Sequence, residues 1–116
     1  AAHPAPKTAD DLAAIAIAYV QFALDRPGLF RVMFTEQCDP SNAERVDAVT
    51  AIQEYLNSIV RQVFPSADSE AMATAVRGLV HGLAFLHLDG KLDTSSAQVV
   101  ADRVRAAVRA AAGQIA

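Results

Sequence analysis

The sequence predicts an all-α fold, a single-domain bundle of about five helices, from three features of its pattern. Apolar residues recur at three- and four-residue intervals over long stretches, as they do in helices with one buried face. No segment of useful length alternates apolar and polar residues like a half-buried strand, and no internal repeat is visible. Prolines, and most glycines, fall at the edges of the periodic stretches, so the chain divides cleanly.

Residues 1–9, AAHPAPKTA, carry two prolines and no period, and read as a flexible lead-in to a domain spanning 10–116. The first helix runs from about Asp10 to Asp25, with Leu12, Ile15, Tyr19 and Phe22 on one face and Ile17, Val20 and Leu24 on the adjoining one. So wide an apolar arc predicts more than one helical neighbour. Pro27 stops this helix and starts a short one, PGLFRVMFT, with Phe30, Met33 and Phe34 to one side. After the CDPSN loop, Ser41 or Asn42 caps a third helix that ends near Phe64. Its apolar side carries Ala48, Ile52, Tyr55, Leu56, Ile59 and Val63; its polar side includes Asp47, Glu54, Asn57 and Arg61.

The fourth helix, capped by Ser66, Asp68 or Ser69, reaches Leu88 and closes at Gly90 in a left-handed conformation. A last helix begins at TSSAQ, with Ser95 as cap and Gln98 completing a capping box, and extends to about Ala112. Its stripe is Val100, Val104 and Val108, flanked by alanines.

The fourth helix is the unusual one. Ala71, Ala75, Gly78 and Gly82 line one strip, and interior glycine costs roughly 1 kcal/mol against alanine. Two in one strip predict close approach of another helix. A second strip, Glu70, Thr74, Arg77 and His81, is polar. It suits a solvated face, a subunit interface or the wall of a cavity, and a hydrogen-bonded, partly buried His81 is the plainer alternative to a ligand contact. His87 lies on another side, so the two histidines cannot chelate one metal.

A chain of 116 residues with 53% hydrophobic and 20% charged residues can bury one core. A net charge of -3 supplies no basic surface for phosphates. The single cysteine, Cys38, excludes a disulfide framework within the chain and a multi-thiolate metal site. With no base beside it, Cys38 reads as a small residue near a helix end rather than a reactive thiol. There is no signal-peptide pattern, and no apolar run approaches the roughly 18 residues a membrane helix needs, so a cytoplasmic chain with no membrane partner is expected. The opening AAHPAP, without an initiator methionine, predicts a piece of a longer protein.

AYVQFALDRPGLFRVMF (18–34), followed some fifty residues on by LVHGLAFLHLDGKL (79–92), resembles the C-terminal domain of TetR-family transcriptional regulators. The subgroup it resembles is named for a Trp-His-Gly signature; His81 and Gly82 match, and Arg77 stands where that signature has tryptophan. The resemblance implies an effector-binding and dimerisation domain, acting as part of a repressor whose N-terminal helix-turn-helix lies outside this chain and makes the only DNA contact.

It further implies that the last two helices pair with their symmetry mates in a homodimer. The interface would use Ala71, Ala75, Gly78, Gly82, Val100, Val104 and Val108. The first three helices, which hold six of the seven aromatic residues, would enclose a small, mostly apolar effector. Its walls would be Tyr19, Phe22, Phe30, Met33, Phe34, Ile52, Tyr55, Leu56, Ile59 and His81, with Tyr55 offering a hydroxyl; the same residues also suit an ordinary core.

A stand-alone helical carrier or interaction module is the alternative. An enzyme is not expected, because no paired carboxylates, nucleophile-base pair or metal-ligand spacing shares a face; no cofactor is implied either. Arg103, Arg105 and Arg109 read as a solvated face.

Overall fold

The computed structural model describes residues 8–35, 41, 43–65 and 68–115, excluding the side chains of 33–35, 44–46, 48–49, 51–53, 56 and 114–115. Cys38 and the side chains of Met33, Phe34, Ile52 and Leu56 therefore lie outside the described residues. Five helices account for the described elements, with no strand among them.

Local chemistry sets each boundary. Helix α1 (Ala9–Asp25) starts earlier than its apolar period, because Thr8 and Asp11 form a reciprocal capping box with both bonds at 3.2 Å. Pro27 opens helix α2 (Pro27–Thr35), as its fixed φ and missing N–H favour. Helix α3 (Ala43–Val63) follows. Helix α4 (Ser69–Leu88) is capped by the Asp68 carboxylate, which accepts from the Glu70 and Ala71 amides, and it closes at Gly90 with φ 74°. Helix α5 (Ala97–Ile115) is capped one residue later than predicted: Ser96 accepts from the Val99 amide. Ser95 is held instead by Asp93, and Gln98 turns forward to Asp102, so the expected capping box does not form.

α1 is the central element, packed along α5 and α4 with α2 folded against it, while α3 packs on α4. Its alanines do what the wheel assigned to larger residues. Ala13, Ala16 and Ala23 are fully buried with Leu12 and Val20, whereas Ile15 is partly exposed. Small side chains let two helices approach α1 at once, since interhelical distance follows the size of the residues at the crossing. Among the described side chains at the end of α3, Ile59, Val60 and the following Phe64 are buried.

Two predicted strips separate here. Val100, Val104 and Val108 are buried within the chain, on the helix that packs most extensively against α1, so they are core residues and not an available interface. The α4 strip does the opposite. Ala71, Ala75, Gly78 and Gly82 are exposed, and a Cβ at either glycine would meet nothing within 4 Å. Among the described residues, no helix makes the close approach that the glycines predicted.

α4 corrects one premise, the absence of an apolar run near 18 residues: by length and composition alone, an 18-residue window in Ser69–Leu88 is apolar and long enough to cross a membrane. Only 28% of that window is buried inside the chain, and the buried residues of the helix are Ala73, Val76, Leu83, Ala84 and His87.

Candidate functional site

Three helices bring one group of rings together. Tyr19 and Phe22 lie one turn apart on α1, Phe30 comes from α2, and His81 and Phe85 lie one turn apart on α4. Phe30 is the hub, with no exposed surface. Its ring centroid is 5.4 Å from Tyr19 in an edge-on arrangement, 5.2 Å from Phe85, 6.1 Å from His81 and 6.3 Å from Phe22. These separations are those of favourable aromatic pairs.

One polar pair sits inside this shell. The Tyr19 hydroxyl lies 2.6 Å from His81 Nδ1, joining α1 to α4 across 62 residues of sequence. Burial pushes the Tyr19 hydroxyl up to about 12, with the Arg77 charge working against it. The phenol keeps its proton at neutral pH, and the bond can be made either way, by the Tyr19 O–H donating to Nδ1 or by Nδ1–H donating to the hydroxyl oxygen.

His87 contrasts with it. Nδ1–H donates to the Leu83 carbonyl at 2.7 Å, and Nε2 accepts from Arg103 Nη1 at 3.1 Å. The same Nη1 donates to the Asp93 carbonyl at 2.8 Å. His87 is 2% exposed and closes the turn between α4 and α5. Arg103 is thus part of a structural latch rather than a solvated charge. Arg105 pairs with Asp102, and Arg109 with Asp10 at 2.8 Å, where each lowers the cost of charging the other: the carboxyl is held below its usual value and the guanidinium above.

Of the predicted pocket residues, Tyr19, Phe22, Phe30 and His81 are brought together, and Ile59 is buried in the same core cluster as Phe30. Tyr55 is not brought in. It is 60% exposed, so its hydroxyl needs no internal partner. Two residues were missed. Phe85 continues the strip of Arg77 and His81 by one more turn, a spacing visible in the sequence. Asn57 was assigned to the polar face, yet its Oδ1 is buried with no hydrogen-bond partner among the described residues. It shares a face with Val60 and Phe64 at three- and seven-residue spacing, a signal that was present but hidden by the residue type.

A separate apolar groove of about 110 Å³ opens at the other end of α1, bounded by Leu12, Phe64, Met72, Leu79 and Val108, with Ala75 of the exposed strip on its wall. It contains none of the residues predicted to hold a ligand. Among the described residues there is no group of His, Cys, Asp or Glu placed to hold a metal ion.

A central helix packed by three others, with α3 laid on α4, an aromatic shell around one polar pair, and a small-residue face turned outward define an all-helical domain. The chain belongs to the tetracycline repressor-like C-terminal domain family, whose model matches residues 12–111. That span takes in all five helices. No curated protein matches the chain, and no solved structure does.

Proposed function

We propose that this chain is the effector-binding and dimerisation domain of a TetR-like transcriptional repressor, one in which a small, mostly apolar molecule controls DNA binding by an N-terminal helix-turn-helix of the parent protein. The observation that carries this reading is the Tyr19–His81 bond inside the aromatic shell. It ties α1, whose start lies nearest the chain's N-terminal side, to α4, whose outer strip is the surface available to a second copy. A ligand that displaced or tightened this bond would alter the two helices that link the dimer to its DNA-binding ends. Control of this kind requires the ligand to bind the two arrangements with different affinity.

Membership of the family supports effector binding and dimerisation in general terms. Arg77 in place of tryptophan supports a subgroup variant with a cation at the rim of the shell.

The test uses the parent protein with its operator fragment. Band-shift titrations against a metabolite extract should show release of the operator by at least one apolar fraction, and that release should weaken in Tyr19→Phe. Operator binding unchanged by every fraction would refute ligand control. A parent reading frame with no helix-turn-helix upstream would replace this reading with a stand-alone carrier or interaction module.

A further inference from the structure

The two histidines of α4 answer acid differently, because their ring nitrogens face different partners. His81 Nδ1 faces a hydroxyl, which accepts as readily as it donates, so a charged His81 ring can keep its bond to Tyr19. His87 Nε2 faces the Arg103 guanidinium, which can only donate. That contact requires a neutral His87 ring with its hydrogen on Nδ1, where the Leu83 carbonyl accepts it at 2.7 Å.

A proton on Nε2 removes the lone pair that Arg103 uses and turns a 3.1 Å hydrogen bond into a contact between two cations. The ring has little room to avoid it: His87 is 2% exposed, and turning the imidazole over would abandon the Leu83 carbonyl. Arg103 is only partly buried and is the partner that can swing into solvent. Its departure also breaks the 2.8 Å bond to the Asp93 carbonyl, which ties the connecting turn to α5.

Among the described residues, no acidic side chain touches the ring to offset the new charge. The Asp93 carboxylate is committed to the Ser95 amide at 2.8 Å and hydroxyl at 3.0 Å, which hold it below its usual 3.8. Asp89 pairs with Arg31 of α2, and Asp102 with Arg105 on α5. The buried residues of α1 carry no charge, and Asp25, Arg26 and Lys91 are exposed. So are Asp47, Glu54 and Arg61 of α3.

We propose that His87 makes the junction of α4 and α5 an acid-sensitive latch: protonation of Nε2 releases Arg103 and loosens the turn between the two helices. The inference does not depend on the effector reading. The folded chain gives up both Arg103 bonds when it takes this proton, and the unfolded chain gives up neither. The latch therefore adds stability at neutral pH, which is lost as pH falls through the range in which imidazoles charge.

The first test needs no variant. Long-range proton–nitrogen spectra of the chain at pH 7.5 should show His87 as the Nδ1–H tautomer; the Nε2–H tautomer, or a charged ring at that pH, overturns the proposal. The second test compares the chain with His87→Gln, whose amide oxygen can accept from Arg103 but takes up no proton. Between pH 7.5 and 5.0 the unfolding constant from urea titrations should rise about tenfold more in the wild type than in His87→Gln. Equal rises overturn the proposal.

Arg103→Met gives the same comparison from the other partner, and decides the matter if His87→Gln does not fold. It keeps the apolar stem but sets no cation beside the ring, so its stability should again fall less than that of the wild type. Amide exchange locates the effect. The Gly90 and Lys91 amides, which close the end of α4, should lose protection at pH 5.0 in the wild type and keep it in the variant. Unchanged wild-type protection at both amides would contradict a loosened turn.

Discussion

The outward strip of α4 and the valine stripe of α5 are both rows of small side chains at helical spacing, and the fold uses them in opposite ways. Val100, Val104 and Val108 fill the contact with α1 and are lost to solvent. Ala71, Ala75, Gly78 and Gly82 face outward with nothing against the glycine backbone, and Leu86, 45% exposed, continues the same line one turn on. β-Branched residues carry enough volume to fill a core, while glycine offers only a flat surface that repays its helical cost when another backbone arrives. We infer that the α4 strip is the face on which a second copy of the chain sits, and that the α5 valines support it from within the protomer.

The sharpest way to break this contrast is to put a charge in each row. Val104→Asp buries an unpaired carboxylate and should cost about 3–5 kcal/mol, enough to abolish cooperative thermal unfolding followed by circular dichroism. Ala75→Asp should retain full helicity and instead give a monomer, since Ala75 is exposed in the single chain. If Ala75→Asp unfolded the chain as Val104→Asp does, the two rows would not differ.

A gentler version removes volume. Val104→Ala should lower the unfolding free energy by about 2 kcal/mol in urea titrations, through lost burial and a residual cavity. On the outer strip, Gly78→Ala should raise the stability of the dissociated protomer by roughly 0.5–1 kcal/mol, because it removes a flexible residue from a helix interior and its Cβ meets open space. The same change measured at high concentration, where copies associate, should give less gain or none. Equal gains at both concentrations would mean that no backbone approaches Gly78.

Much of the frame was legible in the sequence. Pro27 and Gly90 marked their boundaries because each acts through its own backbone, proline by fixing φ and glycine by accepting φ 74°. The start of α1 was hidden inside what looked like a lead-in, since Thr8 and Asp11 act through side chains three apart rather than through an apolar period.

The core of α1 was misjudged for a related reason: a wheel ranks faces by hydrophobicity, and alanine ranks low on either. Only the crossing of α4 and α5 over Ala13, Ala16 and Ala23 shows that smallness was the property used. The candidate site was half legible. The aromatic residues of α1 and α2 announced themselves, but the Tyr19–His81 bond spans 62 residues and no local spacing encodes it. Tyr55 and Asn57 came out reversed: among the described side chains of α3, Ile59 of the predicted apolar face is buried, but Val60 and the Asn57 Oδ1 are buried beside it while Tyr55 is exposed.

The smallest expected effect concerns the pair that ties the start of α1 to the far end of α5. Arg109 lowers the Asp10 carboxyl below its usual 3.8, so any stabilisation is present above that value and is lost as pH falls through the lower folded one. Both partners are exposed, and Asp10→Asn should change stability at pH 7 by little more than the error of a urea titration, with the difference from wild type vanishing in acid and in high salt. A large loss at pH 7 would show that this end of the bundle depends on charge rather than on the buried valines.

The most direct test of the central claim is sedimentation velocity on the chain and on Gly82→Arg, each over a dilution series. A dimer for the wild type, with a monomer of unchanged helicity for Gly82→Arg, is the result expected if the outward strip of α4 receives a second copy. A wild-type monomer at every concentration, or a Gly82→Arg dimer as tight as the wild type, would contradict it.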